Sequence, residues 1–461
     1  MSDTDIPLMA HLMRRAGFGA TRDELEVLAV NGYDTTVDEL LHPEDAPDVP
    51  EDLLHRYDPG FDYASNHNVA ASHWLYRMIN TRRTLEEKMA LFCHGLFATG
   101  GSKVAVGRAL TFQVQMFRRH ALGDFRTLLV ELSKDPAMLF WLDNAQSHRA
   151  AVNENYGREL LELFSMGEGN YTEEDVKSAA RAFTGWAFVR PMISNTGVHQ
   201  PDFVFLPDDH DDGEKQFLGE TGRFNGEDIV DIIVSQPATA QFVAARLYDF
   251  FVADEPDQKA IDTLARVFVE ADYDMRTVMR ALFMSDFFKN ARFAKVKSPV
   301  EIIVSVSRLV GQYVYSEDGV LSDIFPASGV QQDTVARSFW MGQELLNPPS
   351  VEGWHTGLEW IDSGTVVERV NAAASAVGDK DKIGVRSIID RLGGVTKPLE
   401  PAQLVDACLD LVGPFDVSDA TREGLVKFVG ASRRAEGDEA FGDTVVQLLQ
   451  LVVSTPEYQL G

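Results

Sequence analysis

Cysteine is nearly missing from this chain of 461 residues: Cys93 and Cys408 are the only two, and they lie far apart. A disulfide framework and a cysteine-rich zinc site are therefore excluded. Positive charge is also scarce, with 42 Lys and Arg against 71 Asp and Glu and a formal net charge of −29. Nucleic-acid backbones and anionic membranes need basic patches, so neither is expected as the main partner. No apolar run approaches the roughly 18 residues of a membrane span, which argues against membrane insertion. The first residues, "MSDTDIPLMAHLMRRAGFGAT", place acids before any apolar residue. That is unlike a signal peptide, and the cytoplasm is the expected compartment. Strand-type alternation is equally rare; "PDFVFL" and "VVERV" are the only short extended candidates.

Helical periodicity fills most of what remains. "EEKMALFCHGLFATG", "FRTLLVELSKDPAMLFWL", "IVDIIVSQPATAQFVAARLYDFFV", "MRTVMRALFMSDFF" and "VEIIVSVSRLVGQYVY" repeat apolar residues at three- and four-residue intervals. Asn225 suits a helix cap, and Pro237 suits a first helical turn because its missing N–H would be unpaired there anyway. The expected fold is mainly α, a multi-helix orthogonal bundle with long irregular loops and at most a short β-ribbon. A boundary near "AVGDKDKIG" divides a main helical domain, 1–380, from a C-terminal helical subdomain, 381–461, packed on it. "FRTLLVELSKDPAM", "MRTVMRALFMSDFF" and "DTVVQLLQLVVSTPEY" form a faint internal echo, each running an apolar helix into a polar stop.

Two Gly- and Pro-rich stretches interrupt the helices: a long one ending in "LPDDHDDGEKQFLGETGRFNG", and "ELLNPPSVEGWHTGLEW". Long irregular insertions in compact proteins are usually functional or disordered.

The most organised stretch is "NENYGRELLELFSMGEGNYTEEDVKSAARAFTGW", Asn153 to Trp186. At about 100° per residue, Glu154, Asn155, Arg158, Glu159 and Glu162 share one helical face, with Tyr156, Leu160, Leu161 and Phe164 opposite. Such a stripe is ordinarily the wet face of an amphipathic helix with i,i+4 ion pairs. It would serve general acid/base chemistry only if burial separated the carboxyl pKa values. The helix should stop at Gly167 or Gly169, and Thr172 with Asp175 should cap the next.

Taken in order, "HLMRRAGFGAT", "EEKMALFCHGLFA", "HALGDFRTLLVELSKDPAMLFWLDN", the Asn153–Trp186 segment, "HDDGEKQFLG", "PATAQFVAARLYDFFV", "VKSPVEIIV" and "GQELLNPPSVEGWHTGLEWI" resemble the bacterial domain-of-unknown-function family 1800 over nearly the whole chain. That resemblance implies no settled activity. It does imply a partner, since such proteins are often encoded beside domain-of-unknown-function family 1501, whose members look like alkaline phosphatases or sulfatases and often carry export signals. Export together with that partner is a corollary. The family pattern Trp-His-Asn-His-Phe reads Cys93-His94-Gly95-Leu96-Phe97 here, so a His-x-His metal pair is lost and no metal site is assigned. The cofactor is left unknown.

Other signals are weaker. Asp208-x-His210-x-Asp212-Gly213 begins like a calcium loop, but the closing acid would fall on Gly219. His210 beside Asp211, with Lys215 following, suits a base held in one tautomer. "GLFATGGSK" has its lysine after the serine, and no strand leads into it, so it is no P-loop. Neither a Gly-x-Ser-x-Gly elbow nor a His-Glu-x-x-His zinc helix occurs. Arg14 and Arg15 sit beside a Gly-rich turn, where guanidinium groups can bind an anion but more ordinarily hold helix C-terminal carbonyls or acidic neighbours.

Three readings follow. The first is a helical accessory protein of a phosphatase- or sulfatase-like enzyme. The second is an acid/base hydrolase or lyase acting on a carbohydrate or sulfated ester. There Glu154 or Glu159 is acid or base, Arg158 steadies an anionic group, and His210 oriented by Asp211 shuttles the proton; Asn153, Asn155, Lys215 and Trp354 bind substrate. The third is a non-catalytic binder of polysaccharide or peptide using Trp354 and Trp360.

Overall fold

The computed structural model describes residues 5–50, 67–104, 107–189, 193–194, 197–198, 201–313, 334–394, 399–432 and 441–461. Helices dominate them, joined by turns and three two-stranded antiparallel ribbons, so the fold is mainly α. "PDFVFL" supplies one ribbon: Asp202–Phe205 pairs with Trp186–Val189, Trp186 opposite Phe205. "VVERV" is not extended. It lies in the Thr365–Val377 helix, where Arg369, Ala372, Ala373 and Val377 are buried at helical spacing. The five-residue window was too short to reveal that period.

Caps fix the helix starts. The Asn225 side chain accepts from the N–H groups of Glu227 and Asp228, and Pro237 opens the Pro237–Phe251 helix. Thr172 with Asp175, and Ser298 with Glu301, form reciprocal capping boxes. Gly167 and Gly169 both take positive φ, +78° and +83°, where the chain leaves the Asn155–Glu162 helix.

Part of the internal echo has a structural counterpart. Asp124 and Asp274 each cap one of its helices, Phe125–Lys134 and Met275–Met284. The two starts lie antiparallel: Phe125 N–H donates to the Tyr273 carbonyl at 3.1 Å, and Met275 N–H to the Gly123 carbonyl at 2.9 Å.

The main apolar core runs from Ile6 to Leu346. A second core gathers buried residues of 385–458 together with Val306, Val310, Ala373 and Val377. The helices Pro299–Val310 and Thr365–Val377 therefore contribute to the core of the C-terminal helices. Long-range polar contacts add to the attachment: Arg14 Nη1 donates to the Gly413 carbonyl at 2.6 Å, and Arg391 reaches Asp23 at 2.5 Å. No helix among the described residues is long and apolar enough to cross a membrane.

Candidate functional site

Asn153, Asn155, Arg158 and Glu162 are tied into local structure. Asn153 accepts from Asn155 N–H at 3.0 Å, and Asn155 Nδ2 donates to the Leu142 carbonyl at 3.1 Å, stitching the helix start to the preceding turn. Arg158 grips Glu173 through two bonds, 2.8 and 2.7 Å, and approaches Glu154 at 3.7 Å. Glu173 raises the guanidinium pKa, and Arg158 lowers that of the Glu173 carboxyl. Glu162 accepts from the Tyr171 hydroxyl at 2.6 Å. Glu159 is the exception: partial burial first, then the Glu162 charge, raises its pKa, and Glu352 from the Trp354 loop adds to the effect.

The opposite face explains the sequence better than the charged one. Tyr156 is buried, and its hydroxyl donates to Ser133 Oγ at 2.6 Å. Gly157 faces the Glu173–Ala182 helix so closely that a Cβ there would lie 2.9 Å from Ala180 N. The "YGREL" glycine thus permits two helix backbones to touch.

The acidic loop forms a different assembly. His210 is not oriented by Asp211; its Nδ1 meets the Thr184 carbonyl at 2.9 Å, and its ring packs on Phe205. The Asp211 carboxylate instead takes Arg181 Nε at 2.7 Å and Gly213 N–H at 2.9 Å, and Arg181 holds its pKa down to about 2. Lys215 is buried, donating to the carbonyls of Asp211, at 2.5 Å, and Gly213, at 3.1 Å; burial lowers its pKa. Together these contacts close the loop onto the end of the Glu173–Ala182 helix. Asp209 links it to the approach of the Asn153 segment, meeting His148 Nδ1 at 2.5 Å and Arg149 N–H at 3.2 Å.

A larger cleft opens elsewhere, with a volume of about 520 Å³. Leu91, Phe92 and Leu96 form one wall, Leu163 another, Arg246, Asp249 and Phe250 a third. Lys295 comes from the segment leading into the Pro299–Val310 helix and Glu301 from that helix's first turn, and Pro349–Trp360 closes the cleft. Lys295 is buried between Asp249 at 3.0 Å and Asp254 at 2.6 Å. At the edge, His355 Nδ1 and Glu359 are 3.0 Å apart and well exposed. Of the residues singled out from sequence, Trp354 and Trp360 line this cleft; the Trp354 ring stands edge to face on His94 at 5.0 Å.

His94 is itself fully buried; its Nε2 accepts from Leu346 N–H at 3.2 Å, and burial lowers its pKa to about 3. It is a neutral core ring facing Trp354 and Trp74. Leu96, where the family pattern has its second histidine, lines the cleft with an apolar side chain. Among the described residues, no three His, Cys, Asp or Glu side chains gather as a metal site.

Sequence reasoning missed the charge cluster behind the cleft. "VKSPVE" reads as a helix start, and Ser298 does cap it, yet Glu301 also meets Arg15 at 3.0 Å and forms an ion pair with buried Lys88. Those two cations hold the Glu301 carboxyl far below its ordinary pKa despite burial, while burial lowers Lys88 to about 8. The signal available was a lysine inside an apolar helix, "EEKMALFC", which needs a partner when buried.

A mainly helical bundle with an enclosed charge cluster and an adjoining aromatic-rimmed cleft is thus the class of protein defined here. Residues 11–460 match the family described as Protein of unknown function (DUF1800), and the chain belongs to that family. No curated protein and no solved structure matches it.

Proposed function

We propose that the chain is an accessory binding protein, whose cleft receives an extended peptide segment of a phosphatase- or sulfatase-like partner. The observation carrying this reading is the cleft itself: about 520 Å³, apolar at Phe92, Leu96, Leu163 and Phe250, with charges of both signs around it. That volume is in the range of specific ligand sites, roughly 300–1,000 Å³, and takes a few side chains of a strand or turn. Apolar pockets set the affinity, and mixed rim charges favour a segment bearing both signs. The Asn153 stripe supports the same reading, because Arg158, Glu162 and Glu173 are engaged in pairs of their own.

Co-expression with a phosphatase- or sulfatase-like protein of family 1501, followed by size-exclusion chromatography, tests the proposal. The complex should co-elute with wild type and dissociate with Leu163→Arg. Co-elution that survives Leu163→Arg, or no complex with wild type, would overturn it.

Acid/base hydrolysis of a carbohydrate or sulfated ester is the second reading, favoured by the His355–Glu359 pair at the cleft edge. A carboxylate beside an imidazole fixes its tautomer and supports proton transfer. Hydrolysis of nitrophenyl sulfates or glycosides that His355→Gln abolishes would support it; absence of turnover, or turnover unchanged in the variant, counts against it. The sugar-platform reading has less behind it, because Trp354 packs on His94 and Trp360 is buried.

A further inference from the structure

Arg14, in the last turn of the Asp5–Arg15 helix, is buried beside two aromatic rings that stack on each other, its guanidinium carbon 4.7 Å from the centre of Phe293 and 5.3 Å from that of Phe415. Nη1 is used by the Gly413 carbonyl, whereas no described residue accepts a hydrogen bond from Nε or Nη2. A buried guanidinium normally fills its donor positions, because an unmet charged donor is expensive. The neighbouring carboxylates are engaged elsewhere. Glu301 is shared by Arg15 and Lys88, and Asp416 pairs with Arg292 at 2.6 Å.

Arg14 lines a small cavity of about 50 Å³ with Arg15, Lys297, Arg308 and Glu301. A single water needs about 10–15 Å³, so the space suits an ion of several heavy atoms. Lys297 packs on the same Phe415 ring, 5.0 Å from its centre; its Nζ donates to the Tyr458 carbonyl at 2.8 Å and lies 4.3 Å from the centre of the Tyr458 ring. Arg308 gives Nη1 to the Ile79 and Thr81 carbonyls, while its Nε has no acceptor among the described residues. Against Arg14, Arg15, Lys88, Lys297 and Arg308 stand Glu301 and, 3.8 Å from Arg308, Glu24, so positive groups are in excess here. That is the reverse of a chain whose formal net charge is −29.

We propose that this cavity is a binding site for a free tetrahedral oxyanion, inorganic phosphate or sulfate, held by Arg14, Arg308 and Lys297. Guanidinium N–H pairs match the oxygens of such an ion, and exclusion of water strengthens each contact. Burial and the adjacent guanidinium groups push the Lys297 amine well below its ordinary pKa; an anion beside it would raise that pKa again. Because Glu301 lines both this cavity and the cleft, the ion would sit directly behind the proposed peptide site. The claim stands independently of that site's occupant.

The test is calorimetric titration of the purified full chain with phosphate, sulfate and glycerol phosphate, in chloride buffer at constant ionic strength. Phosphate or sulfate should bind at one site, and glycerol phosphate more weakly because the cavity has no room for its remainder. Arg14→Met should weaken the ion's binding about ten- to a hundred-fold, the scale of lost charge-assisted hydrogen bonds. No binding to wild type, unchanged binding in Arg14→Met, or tighter binding of glycerol phosphate would each overturn the proposal. Should Arg14→Met not fold, wild-type crystals soaked in selenate decide instead. An anomalous peak beside Arg14 and Arg308 supports the site, and a peak only elsewhere, or none, rejects it.

Discussion

Arg158 and Glu173 join the two helices of the Asn153 hairpin face to face, guanidinium to carboxylate, through bonds of 2.8 and 2.7 Å. Both side chains reach water; Glu173 retains 67% of its exposure. Exposed ion pairs are screened by solvent and salt, and most contribute little. Glu173→Gln should therefore leave the urea midpoint almost unchanged at 0.15 M salt. A marked drop would show that the pair matters more than its exposure implies.

Gly157 predicts the opposite behaviour at a neighbouring position. Gly157→Ala places a methyl against the Ala180 backbone N and the Val176 carbonyl, at 2.9 and 3.1 Å. Backbone atoms cannot swing aside, so the helices must separate, and overpacking of this kind costs about 1–3 kcal/mol. Urea unfolding should show the loss, although alanine favours an isolated helix more than glycine does. Equal or greater stability in the variant would show that the helices can part freely.

Removing the Glu301 charge should be among the most damaging single changes. Glu301→Gln leaves Lys88 and Arg15 buried without their counter-ion, and breaking a buried pair from one side costs about 3–5 kcal/mol. Lys88→Met in the same chain removes one stranded cation and should recover part of the loss. A double variant less stable than Glu301→Gln would contradict this account of the cluster.

Histidine burial predicts a pH dependence with a definite sign. His11 and His94 both have folded pKa values of about 3, burial being the first cause for each, and Arg14 adding to the effect at His11. A depressed folded pKa means stability is fully present above the ordinary value of 6.5 and is lost as pH falls from there toward 3. The loss is at most about 1.4 kcal/mol per pH unit for each ring. Asp135 and Glu86 act in the opposite sense, burial having raised both carboxyls to about 7. The informative measurement is therefore a difference: His94→Gln should show a shallower fall in stability between pH 6.5 and 4 than wild type. NMR should find the His94 ring uncharged at pH 5; a midpoint near 6.5 would mean that it is solvated.

Asp211 contributes to the acid limb. Its pKa of about 2, against an ordinary 3.8, means that the Arg181 contact contributes fully above 3.8 and fades as pH falls through 2. Asp211→Asn should flatten that part of the stability profile. It should also loosen the 206–217 loop, read as faster amide exchange at Gly213. Unchanged exchange would indicate that the loop is held without the carboxylate.

Local order was legible in the sequence because its causes are local. Apolar spacing within ten or fifteen residues gave the helices, and Asn225, Pro237, Thr172 and Ser298 gave their starts, since a cap bonds to a backbone N–H only two or three residues away. The wet character of the Arg158 stripe was readable for the same reason. Tertiary structure alone decided which charges are buried and with whom. Lys88 and Arg15 meet Glu301 more than two hundred residues along the chain, and Asp211 turns to Arg181 and away from the histidine beside it. Neighbours in sequence need not face each other, and the cost of burying a charge depends on partners that only folding brings near.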